Sequence, residues 1–159
     1  MEDAKAPSAV NAAYELSLKS MDTAVKYYEA QDSNLDRVIT LVVTFSAAMV
    51  AVLTKLTGTA KYDSFFFFGA VAFFTASLVV AFIGKYGGAM IIINPRKLWE
   101  EHLDQDEAEF KSDHIYYLGE NFEALAKVAS RKWWMCVTAS ALFCLEVVCL
   151  VAAVQPAFG

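Results

Sequence analysis

Phe65–Gly84 reads FFFFGAVAFFTASLVVAFIG, 20 residues without a charge. A helix that crosses a bilayer needs about 20 apolar residues, with a range of roughly 17–25. The stretch is rich in Val and Phe, which also favour strands. Buried strands run to about 4–8 residues, so length decides for a helix. A lone segment in hydrocarbon must also satisfy its own backbone, which a helix does. Two flanking stretches repeat the reading. Val38–Thr54 (VITLVVTFSAAMVAVLT) is uncharged and ends at Lys55. Trp133–Val154 carries one charge, Glu146. The expected fold is an all-α membrane protein, with three transmembrane helices and cytoplasmic helical extensions, assembled as an oligomeric bundle.

Composition agrees. Of 159 residues, 57% are hydrophobic and 19% charged, against roughly 45–50% and about 25% in soluble domains. Mean hydropathy is +0.40. The charges avoid the three stretches, which argues against an ordinary soluble enzyme. A net charge of −5 argues against a general nucleic-acid binder, which shows a basic face. The first 36 residues are polar with no short apolar core, so the first span is expected to serve as its own insertion signal.

Eleven of the 13 Lys and Arg residues lie before the first span or between the second and third. Only Lys55 and Lys61 lie between the first and second. The positive-inside rule then puts the N-terminus and the long connection in the cytoplasm and the C-terminus outside. Trp133 and Trp134 follow Arg131-Lys132 as an interfacial belt would. The expected organisation is a cytoplasmic N-terminal helix over residues 1–36 and two transmembrane helices over 37–84. A cytoplasmic helical connection over 85–132 follows, then a third span with an outer C-terminus over 133–159.

The cytoplasmic parts carry helical periodicity. Tyr14, Leu18, Met21, Val25 and Tyr28 step by 4, 3, 4, 3, the a/d spacing of a coiled coil. Ser8 to Thr57 contains no Pro or Gly, so one long helix, or two joined near Asp32-Ser33, runs into the first span. Ile115, Leu118, Phe122, Leu125 and Ala129 repeat the spacing ahead of the third span, with Ser112-Asp113 as the expected cap. These stripes serve equally for self-association or for packing on each other. Pro95 fits a helix start. Gly87-Gly88 reads as a loop at the membrane edge or as a hinge.

Catalytic patterns are absent: no P-loop, G-x-G-x-x-G or G-x-S-x-G occurs, and no cofactor is expected. His102 and His114 lack a second ligand at metal spacing and read as solvated surface residues. Cys136, Cys144 and Cys149 all fall in the third span, unpaired, and read as packing residues. Glu146 demands an account. It lies 13 residues beyond Trp133, about 20 Å along a helix. A carboxylate there costs at least ~2.5 kcal/mol and faces a bundle interior or water. Three readings stand: a ring of carboxylates attracting cations in an oligomer, a protonated Glu hydrogen-bonded between helices, or a proton-transport site. Thr40, Thr44, Ala47, Ala51 and Thr54 form a mild polar stripe on the first span, suited to a narrow pore or to helix packing. Glu146, Cys149, Thr40 and Thr44 are the pore-lining and gating candidates.

The layout resembles the small membrane effectors of bacterial anti-phage nucleotide-signalling systems, the Pycsar transmembrane effector family and its relatives. The resemblance rests on Asp36-Arg37 before the first span and on Asn94-Pro95-Arg96 with Leu98-Trp99 after the second. Tyr117 and Asn121, on the helix leading to Lys132, complete it. It covers most of the chain through short motifs. It differs at Arg37, where Lys is more usual, and in the spacing after Asn121. The resemblance implies a membrane effector in the bacterial inner membrane, a nucleotide- or oligonucleotide-regulated channel whose opening depolarises that membrane and aborts infection. A partner nucleotidyltransferase would supply the ligand. Arg96, Lys97, Lys111, Lys127, Arg131 and Lys132 would meet phosphates. Trp99 and Tyr117 would stack on bases, as would Phe110, Tyr116 and Phe122. Residues 85–132 hold 7 basic and 9 acidic residues, so any phosphate site is a local cluster. A homo-oligomer, with a tetramer as the working number, would enclose the pore within the lipid bilayer. The rival reading is a non-conducting scaffold that recruits a soluble partner through its cytoplasmic helices. A proton-coupled transporter comes third, since no internal repeat is visible.

Overall fold

The computed structural model describes residues 6–56, 63–88 and 106–154. Every described element is an α-helix: α1 (Ala6–Leu56), α2 (Ser64–Tyr86) and α3 (Glu107–Val154). Each is long and apolar enough to cross a membrane. α1 is one continuous helix rather than two joined near Asp32, as a run without Pro or Gly allows.

Helix ends follow local chemistry. Asp63 caps α2, its Oδ1 accepting from Phe65 N at 2.9 Å. At the other end Gly87 N donates to Ile83 O at 2.8 Å. A Cβ on Gly87 would sit 2.4 Å from that same carbonyl, so only glycine closes the helix this way. The expected cap of the last helix is corrected. Asp106, not Ser112, opens α3: its Oδ1 accepts from Ala108 N and Glu109 N at 2.8 and 2.9 Å. Glu107 and Glu109 then occupy the first turn, where they complement the helix dipole. Ser112 was the weaker choice because Asp106 offers a capping carboxylate six residues earlier, ahead of a good helix-forming run.

The chain forms two compact units. One gathers the described residues of 1–30 and 89–130. Its core holds Ala24 from α1 and Leu118, Leu125 and Ala129 from α3. The α3 stripe read from sequence is largely this face. On α1 the frame shifts by one residue: Leu18 is exposed while Ala24 is buried. Faces through 17/24 and 18/25 both step by seven, and the small Ala24 lets the helices approach more closely than Val25 would.

The other unit gathers the described residues of 31–88 and 131–159 and contains all three hydrophobic stretches. Nine of its buried positions recur every seven residues: Leu35 and Val42 on α1; Ala70, Ser77 and Gly84 on α2; and Lys132, Ala139, Glu146 and Ala153 on α3, with Gln31, Ala81 and Leu150 buried beside them. A sustained seven-residue repeat is the seam of coiled-coil packing. Most of the seam residues are small, which lets helix backbones approach where lipid supplies no hydrophobic drive. Two cross-helix bonds use that closeness. Ser77 Oγ donates to Ala139 O at 2.9 Å, and Asp63 N donates to Ala153 O at 3.1 Å. Outside the seam, Leu41, Val50, Phe65, Phe68, Val71, Val79, Phe82 and Val148 are exposed. Only 17% of each apolar window is buried. A surface this apolar belongs against lipid or another protein.

Gly84 is the tightest point of the seam. A Cβ there would lie 2.7 Å from Met135 Cβ and 3.3 Å from both Leu35 methyl carbons. Met135 Cβ is fixed by the backbone, so one helix must move. Gly84→Ala should therefore lower stability by about 1–3 kcal/mol, despite the better helix propensity of Ala. Gly119→Ala is the control, since nothing lies within 4 Å of its Cβ position, and it should stabilise slightly. Thermal unfolding of both variants in one detergent checks the contrast.

Candidate functional site

Three polar features stand out in the unit that holds the hydrophobic stretches. The first is an ionic clasp among the three helices. Asp32 and Asp36 lie one turn apart on α1. Asp32 Oδ1 accepts from Lys132 Nζ of α3, and Asp36 Oδ1 accepts from Lys85 Nζ of α2. Lys132 Nζ also donates to the Lys85 carbonyl at 3.2 Å, the region where α2 ends. The Lys132 side chain is 2% exposed and that of Asp32 is 35% exposed. A buried ammonium is tolerable only when paired and hydrogen-bonded, and both conditions are met here. Lys85 and Asp36 are more open to solvent, so their pair contributes less.

The second feature is Glu146. Its side chain is buried at 2% exposure. Oε1 accepts from Ser46 Oγ of α1 at 2.5 Å. Oε2 is buried with no hydrogen-bond partner among the described residues. Glu146 also lines a groove with Val43, Ala47 and Val50 of α1, Phe67, Ala70 and Phe74 of α2, and Leu150 of α3. The Ser46–Glu146 bond joins α3 to α1 within one chain. Cys149 is half-buried and, like Phe67, packs against the Ala70–Leu150 contact.

The third feature is one face of α1. Ser33, Asp36, Arg37, Thr40, Leu41, Thr44, Phe45 and Ala48 line an open groove of about 680 Å³. Ser33, Arg37, Thr40 and Thr44 are all exposed. Thr40 Oγ1 donates back to Asp36 O at 2.9 Å, a local bond that lets a hydroxyl sit on an apolar helix. Thr40 and Thr44 thus share an exposed face, and Glu146 and Cys149 do not share it with them.

The basic and aromatic ligand candidates fall into separate places. Arg96, Lys97 and Trp99 lie outside the described residues, as do His102 and Pro95. In the first unit Lys111 donates to Asn11 Oδ1 at 2.7 Å and pairs with Glu107. Tyr117 is exposed, and its carbonyl accepts from Asn121 Nδ2 at 2.8 Å. Lys127 is exposed. In the second unit Arg131 is exposed while Lys132 is committed to Asp32. Sequence reading missed this commitment, although Asp32 interrupting an apolar stripe was its visible trace. His114 is corrected from a solvated residue to a half-buried one. Its ring stacks on Phe110 with centroids 5.5 Å apart and tilts against Tyr14 at 5.6 Å. Phe110 precedes it by one helical turn, which brings the two rings together. Among the described residues no three His, Cys, Asp or Glu side chains cluster at metal-binding range. No family model, curated protein or solved structure matches the chain.

The clasp yields a double-mutant test. Asp32→Asn leaves Lys132 buried without its counter-charge and should cost about 2–4 kcal/mol, trimmed from the fully buried case because Asp32 is partly open. Lys132→Met alone should cost less, and Asp32→Asn with Lys132→Met should recover most of the loss. Chemical unfolding of the purified protein measures all three. Simple additivity of the two single changes would mean the pair does not couple.

Proposed function

We propose that this protein is a homo-oligomeric membrane effector of bacterial anti-phage defence, a channel regulated by a nucleotide or short oligonucleotide. On this reading it sits in the inner membrane with its N-terminus cytoplasmic and its C-terminus periplasmic. Opening depolarises the membrane and arrests the infected cell. The observation that carries the pore is the exposed α1 face of Ser33, Arg37, Thr40 and Thr44. Ser33 and Arg37 stand at the entry to the first span, and within it a hydroxyl is met by its own helix, as Thr40 is by Asp36 O, or by water or another protein surface. Three helices are too few to enclose a pore, so copies of α1 would line it together, with Thr40 and Thr44 facing the lumen. Glu146, bonded to Ser46 from inside the protomer, acts here as a positioning residue that fixes the rotation of α1. The small Ala48 and Ala51, both exposed, suit close contact between copies.

The defence role and the nucleotide ligand rest on the resemblance carried by Asp36-Arg37, Asn94-Pro95-Arg96 and Tyr117 with Asn121. Lys127 and Tyr117 are the exposed described residues among the ligand candidates; Arg96, Lys97 and Trp99 are candidates through the resemblance alone. Arg131 serves as an interfacial anchor as readily as a phosphate contact.

Substituted-cysteine accessibility tests the pore. In a background with Cys136, Cys144 and Cys149 replaced by Ser or Ala, Thr40→Cys and Thr44→Cys should react with a membrane-impermeant thiol reagent. Reaction should block conductance in planar bilayers, and Thr44→Trp should block without any reagent. In cells, depolarisation should depend on a co-expressed nucleotidyltransferase. Unreactive thiols and an unchanged potential in every combination, with the protein confirmed in the membrane, would favour the non-conducting scaffold.

A further inference from the structure

The groove beside Glu146 has the dimensions and chemistry of a small-molecule site. Its volume is about 530 Å³, within the roughly 300–1,000 Å³ of ligand pockets. All three helices build it. Val43, Ala47 and Val50 form one wall and Phe67, Val71 and Phe74 the other, with Glu146 and Ser46 as its polar groups. Val43, Val50 and Val71 are exposed, so the mouth opens on the apolar outer surface rather than toward an aqueous end.

The polar groups are left incomplete. Ser46 spends its hydroxyl proton on Oε1, and Oε2 is buried without a partner among the described residues. An ionised carboxylate in this state lacks a donor, and a neutral one carries an O–H without an acceptor. Either form costs free energy in hydrocarbon. One kind of occupant resolves both problems: an amine with an apolar or aromatic body. Its neutral form partitions into lipid and enters through the valine-lined mouth. The carboxyl O–H bond breaks, the proton forms a new N–H bond on the amine, and an ammonium–carboxylate pair with no net charge remains. The aromatic rings of Phe67 and Phe74 offer faces to the ligand body and to the cation. A lipid ammonium headgroup is a poor alternative. Glu146 lies about 20 Å along the helix from Trp133, past the midplane, and a headgroup drawn there would lose its hydration.

We infer that the Glu146 groove is an intramembrane binding site for lipophilic amines, one amine per chain. The site goes beyond the channel reading, and its assay contains no conductance readout, so either can fail alone. The test uses the full chain in phosphatidylcholine nanodiscs with tritiated phenylbutylamine as the probe. Wild type should bind saturably, one per chain, and unlabelled phenylbutanol should compete at least about tenfold more weakly than unlabelled phenylbutylamine. Glu146→Gln should weaken amine binding about tenfold or more while keeping an acceptor for Ser46. Val71→Trp should occlude the mouth and remove binding with Glu146 intact. Non-saturable partitioning into wild-type discs would overturn the inference, as would wild-type affinity in both variants. Should neither variant fold, the alcohol competition on wild type decides: equal potency of alcohol and amine would overturn it.

Discussion

The unit that carries the spans depends on one buried charge. Lys132 lies within the seven-residue seam of α3, whose other positions are Ala139, Glu146 and Ala153. Its ammonium is tolerable there only because α1 presents Asp32 and α2 ends with the Lys85 carbonyl within reach. A carbonyl near a helix C-terminus lacks its intrahelical donor, so Lys132 satisfies α2 as well as itself. The termination of α2 at Gly87 is thus tied to the register of α1 against α3. Shifting any one helix by a residue would separate the ammonium from both acceptors. An apolar contact away from Gly84 weakens only gradually on such a slip. A buried ion pair does not, and its use here is to specify register.

The seam divides labour between small residues and polar ones. In water, burying Ala and Gly contributes little, and large side chains drive packing. In hydrocarbon that drive vanishes, and helices associate through close contact and hydrogen bonds. Ala70, Ser77 and Gly84 on α2 and Ala139 and Ala153 on α3 provide the first. Ser77 to Ala139, Ser46 to Glu146 and Asp63 to Ala153 provide the second. The large side chains turn outward instead, as Phe65, Phe68 and Phe82 do. This inversion of the soluble-protein pattern agrees with what the helix lengths indicate.

The three helices were legible in the sequence because length and hydropathy alone decide them. The caps were partly legible: Asp63 and Asp106 precede their helices, but an acidic run offers several candidate caps. The partnership of Glu146 was half legible. A carboxylate in an apolar run announces that it needs a partner, yet nothing along the chain names Ser46, a hundred residues away, as the donor. Arg131 and Lys132 read alike along the chain, as neighbouring basic groups at the start of the third span, yet adjacent helical residues point about 100° apart. Only the packing distinguishes the exposed Arg131 from the buried Lys132. Asp32 carried the matching hint, since an acid that interrupts an apolar stripe without ending the helix has a basic partner more often than a free face.

The exposed α1 face and the buried Glu146 are linked through Ser46. Positions 40, 44 and 48 lie on the outward face of α1, while 42, 46 and 49 turn inward. The Ser46–Glu146 bond therefore fixes which way Thr40 and Thr44 point. With the clasp at Asp32 and this bond at Ser46, α1 is held at two places 14 residues apart, close to four helical turns. Two fastenings nearly in line on one helix leave it no freedom to rotate unless one is released. Of the two, the bond at Ser46 is the easier to break, because it is a single hydrogen bond and the other is a buried ion pair with a second acceptor. Asp32 and Ser46 thus set the rotation of the continuous α1 helix from two points rather than one.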